Sequence, residues 1–211
     1  MIRKLALLVS IIMHPLLMPT LLFTILFYFA PIVISPISES SVNTILFILL
    51  ITTFVLPMLS ISALVYSSGS LQNILKNLSM QERKVRILPF FFTTIFYGIT
   101  TYLFMDKIKE NSIFVTILMA ITLIVLVISV ITLFFKVSAH SAAASGLIGF
   151  LLSIALKHSQ HGLLFPLVGI LLLAGLVMSA RLYLNAHKPN EILLGCVVGF
   201  FLSFGTIWLF G

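Results

Sequence analysis

The sequence predicts an all-α protein, a polytopic transmembrane helical bundle with about seven membrane spans. Two observations support this prediction. Of the 211 residues, 61% are hydrophobic and only 8% are charged, and the mean hydropathy is +1.26, which is far more apolar than a water-soluble domain can expose. In addition, polar breaks divide the chain into stretches of about 20 apolar residues, the length that a helix needs to cross the roughly 30 Å hydrocarbon layer.

The predicted crossings leave almost no chain for a soluble domain. They comprise residues 16–34, 44–66, 87–105, 113–135, 137–156, 163–178 and 192–210. The fifth and sixth are near the short limit for a crossing, and the polar segment between them, residues 157–162, is either a tight hairpin or lies partly in the headgroup layer. Because no repeat or linker is visible, we interpret residues 1–211 as a single integral membrane domain.

The amino terminus begins like a secretory signal, with two cations ahead of an apolar run. No small-residue cleavage pattern follows, which indicates a retained anchor. Residues 5–34 are too long for one straight crossing, and Pro15 and Pro19 are expected to bend them, so residues 5–13 are candidates to lie along the membrane surface. We interpret His14, at this bend, as a structural residue satisfied by a freed backbone carbonyl.

Cations are concentrated on one side of the predicted bundle. With these crossings, the amino terminus and the loops after the second, fourth and sixth spans share a side with nine cations and two acids, whereas the other side has three of each. Cytoplasmic loops collect Lys and Arg without any function. Several of these cations, however, lie at span ends beside histidines and hydroxyls, where a charge without a partner is costly. An external phosphate would be a suitable partner.

Residues 179–195, SARLYLNAHKPNEILLG, contain an acid and a histidine at suggestive spacing. Pro189 suits the first turn of the last helix, which leaves His187 just outside the helix start and Glu191 within its first turn. The carboxylate can accept a hydrogen bond from one imidazole nitrogen, so that the other nitrogen presents a lone pair. Arg181, six residues before His187, offers a fork of donors suited to phosphate oxygens.

Similar groups recur in residues 136–141, KVSAHS, at the predicted start of the fifth span. The hydroxyl of Ser138 and the unpaired N–H groups of a helix start favour an anion. His140 can give a proton to a departing oxygen. This segment therefore predicts a second part of the same anion site.

These segments resemble the type 2 phosphatidic acid phosphatase superfamily, which also includes glucose-6-phosphatase-like and vanadium haloperoxidase enzymes. The superfamily has three short motifs. The second, Pro-Ser-Gly-His, is similar to residues 137–140, VSAH, without the proline and glycine. The third, Ser-Arg, five residues, His, three residues, Asp, is similar to Ala180 and Arg181 followed by His187 and Glu191, with the spacing matched residue for residue.

The first motif, Lys, six residues, Arg-Pro, is degenerate in this chain. Lys76 and Arg83 have its spacing without the proline, and Arg86 is followed by a delayed proline. The family layout has no crossing between the first and second motifs, whereas we predict two, so Lys136 is a candidate to supply the cation of the first motif. The resemblance spans residues 76–199 and implies a six-helix phosphatase-like core plus an extra span.

The resemblance implies a metal-independent membrane lipid phosphatase that needs no cofactor. His187 would attack phosphorus and form a transient phosphohistidine, Glu191 would hold its ring, and His140 would protonate the leaving alkoxide and then activate water. The groups that would bind the phosphoryl oxygens are Arg181, Ser138, Arg86, Arg83, Lys136 and Lys76. With only Glu82 and Glu191 as acids on that side, a two-metal site lacks ligands.

Three further features have simpler interpretations. The single cysteine, Cys196, excludes an internal disulfide and a cysteine metal cluster. Gly195 and Gly199 form a small-residue seam in the last span, which predicts close helix packing. His158 and His161 lie on the other side without a carboxylate cluster, which disfavours a metal site there.

The expected substrate is a lipid phosphomonoester or diphosphate, such as phosphatidate, phosphatidylglycerophosphate or a polyprenyl diphosphate, whose tail stays in the bilayer. Nucleic acid is not an expected partner. The alternatives are a non-enzymatic lipid-phosphate binding or transport protein and a purely structural membrane protein. We expect a multi-pass protein of a cell membrane, the inner membrane of a bacterium. The side that the site faces, the tail preference and the oligomeric state stay open from sequence.

Overall fold

The structure is a computed structural model that describes residues 2–35, 37–67, 83–108 and 112–211. The described residues are 89% helical and contain no strand. Seven helical segments within these ranges are long and apolar enough to cross a membrane. The predicted polytopic helical bundle is therefore confirmed.

Nine α-helices occur in the described ranges, and we number them in chain order. They are α1 (Ile2–Ile12), α2 (Met18–Phe29), α3 (Glu39–Leu50), α4 (Leu56–Ser67), α5 (Arg83–Lys107), α6 (Ser112–Phe134), α7 (Ala139–Lys157), α8 (Leu164–Tyr183) and α9 (Pro189–Phe210). The first candidate span combines α1 and α2, the second combines α3 and most of α4, and each of the other five helices provides one span.

Prolines explain why the first two spans are interrupted. A 3₁₀ turn, Pro15–Leu17, separates α1 from α2, as expected where proline cannot donate a backbone hydrogen bond. A π-helical turn, Ile51–Val55, separates α3 from α4 and lies just before Pro57, whose ring would clash with the carbonyl four residues earlier. Pro89, by contrast, lies inside α5 without ending it.

The helix α7 is the centre of the bundle. Two thirds of its span, 67%, is buried inside the protein, whereas no other candidate span in the described residues exceeds 39%. Its closest neighbour among these helices is α9. A Cβ on Gly199 of α9 would collide with the carbonyl oxygen of Ala142, and one on Gly195 would lie 2.6 Å from the carbonyl oxygen of Ser138. The two glycines thus allow close packing of these helices, as predicted.

The amino-terminal helices join the bundle through an apolar core. Phe23 of α2 packs against Phe114 of α6 with ring centroids 4.4 Å apart, and both side chains are fully buried. Leu26 of α2 and Leu151 of α7 belong to the same buried cluster. This core holds the connection between α1 and α2 next to the start of α7.

Candidate active site

The segments before α7 and before α9 lie side by side at one end of the bundle. The backbone N–H of Ser138 donates to the carbonyl of Glu191 at 3.1 Å, and the hydroxyl of Ser141 donates to the carbonyl of Ile192 at 3.0 Å. The Nζ of Lys136 donates to the carbonyl of Ala186 at 2.9 Å. These bonds bring the segments of the second and third motifs together.

His187 is held on one side by an acid from the next helix. Because Pro189 starts α9, Glu191 lies in the first turn and faces back toward the preceding loop. Its Oε2 lies 2.7 Å from Nδ1 of His187, and the His187 side chain is only 2% exposed. The pair is therefore shielded from solvent and short enough for a strong, charge-assisted hydrogen bond.

The other ring nitrogen of His187 faces an arginine. Nη1 of Arg86 lies 3.3 Å from Nε2 of His187 and donates to the carbonyl of Val137 at 3.1 Å. Because a guanidinium can only donate, Nε2 must accept, which leaves the imidazole proton on Nδ1 for Glu191. The two contacts thus select the tautomer whose Nε2 lone pair points toward a buried cation.

Electrostatics keep this imidazole neutral. Burial, followed by the nearby cations Arg86, Arg181 and Lys136, lowers the pKa of His187 to about 3. Burial also lowers the pKa of Lys136, although the carboxylate of Glu191 opposes that shift. At neutral pH the His187 ring is therefore neutral, and its Nε2 lone pair accepts from Arg86.

His140 lies half-buried in the first turn of α7 and contacts the amino-terminal span. Its Nε2 lies 3.0 Å from the carbonyl oxygen of Ser10, so the ring nitrogen donates and the carbonyl accepts. The Ser10 carbonyl belongs to the last turn of α1, where helix carbonyls have no partner of their own within the helix. The end of α1 therefore orients His140.

One cavity of about 580 Å³ connects these groups. In the part of the chain that the structure describes, its polar lining consists chiefly of three arginines and three histidines, namely Arg3, Arg86, Arg181, His14, His140 and His187. Beyond them the lining is mainly apolar, with side chains such as Leu22, Met58 and Ile121. The cavity thus has a cationic end and an apolar interior.

Arg181 is a half-buried cation at this end. Its buried Nε has no hydrogen-bond partner within the described ranges, and no described carboxylate forms an ion pair with it. A guanidinium that is partly removed from water without an anion favours one from outside. Among the predicted phosphate-binding residues, Arg181 and Arg86 line the cavity.

Other predicted phosphate-binding residues lie elsewhere. The hydroxyl of Ser138 is fully buried and accepts from the N–H of Ser141 at 3.3 Å, so it caps α7 and does not line the cavity. Lys136 is bound to the loop before α9 and lies 3.7 Å from the Glu191 carboxylate. Lys76 lies outside the described residues, and Arg83 starts α5 but its side chain lies outside them.

The sequence reasoning assigned no function to the amino-terminal wall of the cavity. His14, interpreted as structural, lines the cavity together with Arg3 and Ser10. Its Nδ1 accepts from the N–H of Leu16 at 3.3 Å. The backbone partner is therefore an N–H group and not the freed carbonyl that was predicted. The available signal was the spacing of seven and then four residues between Arg3, Ser10 and His14, which places them on one helical face.

The opposite end of the bundle is arranged differently. There, Lys157 donates to three carbonyl groups at the end of α9, at 2.6 to 3.1 Å, which is the usual role of a cation at a helix carboxy terminus. Within the described residues, no three His, Cys, Asp or Glu side chains are grouped closely enough to hold a metal ion.

Comparison with known protein families concerns the same helices. The family model described as the PAP2 superfamily matches residues 132–211, which include α7, α8 and α9. The predicted resemblance is thereby confirmed. The PAP2 superfamily includes phosphatases, and the seven candidate spans support an integral membrane protein. No curated protein and no solved structure matches the chain.

Proposed function

We propose that the protein is a membrane-embedded phosphatase that hydrolyses a lipid phosphomonoester or diphosphate through a phosphohistidine intermediate, in the cell membrane of a bacterium. The observation that carries this proposal is the cavity that joins buried arginines and histidines to an apolar interior. A phosphate group suits the first part and a lipid tail suits the second.

Substrate binding starts from the two arginines of the cationic end. The Arg86 side chain belongs to a residue that is only 4% exposed, and the buried Nε of Arg181 has no partner in the described chain. Guanidinium groups bind phosphate oxygens through paired N–H donors. Two such groups beside His187 would therefore place phosphorus next to the nucleophile and spread the charge of the transition state.

The first chemical step forms the phosphoenzyme. Nε2 of His187 attacks phosphorus while the P–O bond to the lipid alkoxide breaks, and the alkoxide takes a proton from Nδ1 of protonated His140. His140 keeps its Nε2 proton on the Ser10 carbonyl. The ring of His187 gains a positive charge in this step, which the Glu191 carboxylate 2.7 Å away stabilises.

The second step releases phosphate. His140 is now neutral with a lone pair on Nδ1, and it accepts a proton from the attacking water. The N–P bond breaks, its electron pair returns to Nε2 of His187, and inorganic phosphate leaves. Because Nε2 of His140 donates to the Ser10 carbonyl, Nδ1 is the nitrogen that gives up the proton in the first step and accepts one in the second.

The apolar part of the cavity supports a lipid substrate. Arg86 and Tyr97 both line it and lie on the same helix, α5, about 16 Å apart at the rise of 1.5 Å per residue. The cavity thus extends about halfway through the roughly 30 Å hydrocarbon layer. A long-chain tail fits this depth better than a water-soluble phosphate ester does.

The decisive experiment measures phosphate release by the full chain in detergent. We expect release from long-chain phosphatidate or polyprenyl diphosphate that survives EDTA and is inhibited by vanadate, a mimic of the pentacoordinate transition state. His187→Ala should reduce the rate by about 10³-fold or more. His161→Ala, at the opposite end of the bundle, is the matched control and should retain the rate.

A label from substrate phosphate tests the intermediate. Phosphohistidine is stable in alkali and labile in acid, so we expect an alkali-stable label on the wild type and none on His187→Ala. Binding of lipid phosphate without any phosphate release would instead support the non-enzymatic binding or transport alternative.

A further inference from the structure

We infer that the amino-terminal span supplies a third histidine to the active site, with Nε2–H of His14 binding a non-bridging oxygen of the substrate phosphate. This inference rests on the proposed phosphatase function. It goes beyond the matched stretch, residues 132–211, because His14 lies at the other end of the chain.

The tautomer of His14 follows from its backbone contact. The N–H of Leu16 donates to Nδ1 of His14 at 3.3 Å. Because a backbone N–H cannot accept, Nδ1 carries the lone pair and the proton of the neutral ring is on Nε2. No described residue accepts a hydrogen bond from that Nε2–H. Among the described residues, this donor of the site therefore has no partner.

The ring of His14 is held at the cavity. It lies 6.0 Å from the ring of His140, centroid to centroid, at an interplanar angle of 75°, and 5.9 Å from the ring of Phe54 at 79°. These edge-to-face contacts restrict the ring on two sides. The remaining side lines the cavity, beside the group that protonates the leaving oxygen.

The whole face of α1 supports this position. Arg3, Leu7, Ser10 and Ile11 recur at helical spacing and line the cavity with His14, and the Ser10 carbonyl orients His140. A neutral donor is suitable here, because the cavity already contains three arginines and a further cation would raise their mutual repulsion. The amino-terminal span thus forms one wall of the site.

Two isosteric substitutions separate this role from a merely structural one. His14→Asn keeps an acceptor near the position of Nδ1 and can still receive the Leu16 N–H, but has no donor near the position of Nε2. His14→Gln places its amide N–H near the position of Nε2 and loses the acceptor beside the backbone. The first variant keeps the cap, and the second keeps the donor.

We expect His14→Asn to lower kcat/KM by about 10- to 100-fold, the range for a hydrogen bond to a charged group, and to weaken vanadate binding in parallel. His14→Gln should retain kcat/KM and vanadate binding near wild-type values while its Tm falls. His161→Asn is the matched control and should change none of these quantities.

The opposite order, with His14→Asn like the wild type and His14→Gln impaired, would show that His14 only caps the turn and would overturn the inference. Equal effects of both substitutions, or none, would overturn it as well. Vanadate binding, followed as a shift in Tm, is independent of turnover. A loss of vanadate binding confined to His14→Asn would therefore support the donor role of His14 even if no lipid phosphate were hydrolysed. Failure to hydrolyse any lipid phosphate would contradict the proposed function alone.

Discussion

The helix pair α7 and α9 differs in construction from the amino-terminal helices α1 to α4. The pair is continuous and close-packed, with Gly195 and Gly199 against the backbone of α7. The amino-terminal helices are interrupted by a 3₁₀ turn and a π-helical turn, and they contact the rest of the protein mainly through apolar and aromatic side chains. We therefore expect the pair to fix the positions of the proposed reacting groups, and the irregular helices to shape the space around the proposed substrate.

This difference separates two kinds of variant. Changes in the pair should impair the reaction with every phosphate ester, because they alter His187, Glu191 or His140. Changes in the α4 wall, which includes Met58, should depend on the substrate, because that wall lines the apolar part of the cavity, away from the phosphate.

The largest effect is expected at Glu191, the acid that contacts His187. Glu191→Gln replaces the carboxylate that accepts from Nδ1 of His187 at 2.7 Å, so only Arg86 still selects the tautomer and the cationic intermediate loses its counter-charge. In another enzyme, a comparable change in an acid–histidine pair lowers kcat on the order of 10⁴-fold, and we expect a loss of at least about 10³-fold here. Phosphate release measures it, with Glu39→Gln as the control.

Overfilling the seam should be the next largest change. Gly199→Leu would push a side chain into the carbonyl of Ala142, and overpacking of this kind costs about 1–3 kcal/mol. We expect a lower Tm and loss of activity on short and long substrates alike. Gly205→Leu is the control, since a Cβ at Gly205 meets nothing within 4 Å. Equal Tm values for the two variants would contradict the proposed rigidity of the pair.

The buried imidazole predicts a pH dependence of stability. The folded-state pKa of His187 is about 3 against an ordinary 6.5, so the unfolded state binds a proton that the folded state does not. The stability contribution is fully present above pH 6.5 and is lost as the pH falls below it. At pH 5 the loss is about 2 kcal/mol at 1.36 kcal/mol per pH unit.

Thermal unfolding at pH 7.5 and pH 5 measures this contribution. His187→Gln, which cannot take up the proton, should lose about 2 kcal/mol less than the wild type over the same interval. If both proteins show the same decrease, His187 is not the group that titrates.

A smaller and substrate-dependent effect is expected at Met58 of α4, on the apolar part of the cavity. Met58→Trp narrows the apolar part of the cavity and should lower kcat/KM for a long-chain lipid phosphate by about 10-fold, a typical penalty for poor fit of one side chain. Activity on a short-chain soluble phosphate ester should be unchanged. Leu59→Trp, at a position that is 61% exposed, is the control. A fall in kcat/KM on both substrates would mean that α4 also positions the reacting groups.

The smallest effect is expected at Ser138. Ser138→Ala removes the cap that accepts from the N–H of Ser141 and should cost about 1 kcal/mol of stability, with phosphate release little changed. The comparison of Tm and kcat decides between the two roles. A large fall in kcat at constant Tm would instead favour the phosphate-binding role that the sequence predicts for Ser138.

Much of the fold could be predicted from local pattern. Hydropathy indicates the seven spans. The first begins at Ile2, earlier than the predicted residue 16, because the helix before Pro15 is also apolar. That helix had been considered a candidate to lie along the membrane surface. At Pro15, where a bend was expected, a 3₁₀ turn interrupts that span. The seam of Gly195 and Gly199 was also predicted, since helix packing in membranes depends on small residues at four-residue spacing.

The candidate site was accessible to sequence reasoning only in part. The contact between His187 and Glu191 is local, because four residues across a helix start bring the two side chains together, and residue spacing is sufficient to anticipate it. Three other features depend on how helices distant in the chain pack against one another. They are the contact of Arg86 with His187, the use of the Ser138 hydroxyl as the cap of α7, and the position of His14 at the cavity. Spacing carries no information about those long-range contacts, so only the folded bundle could assign them.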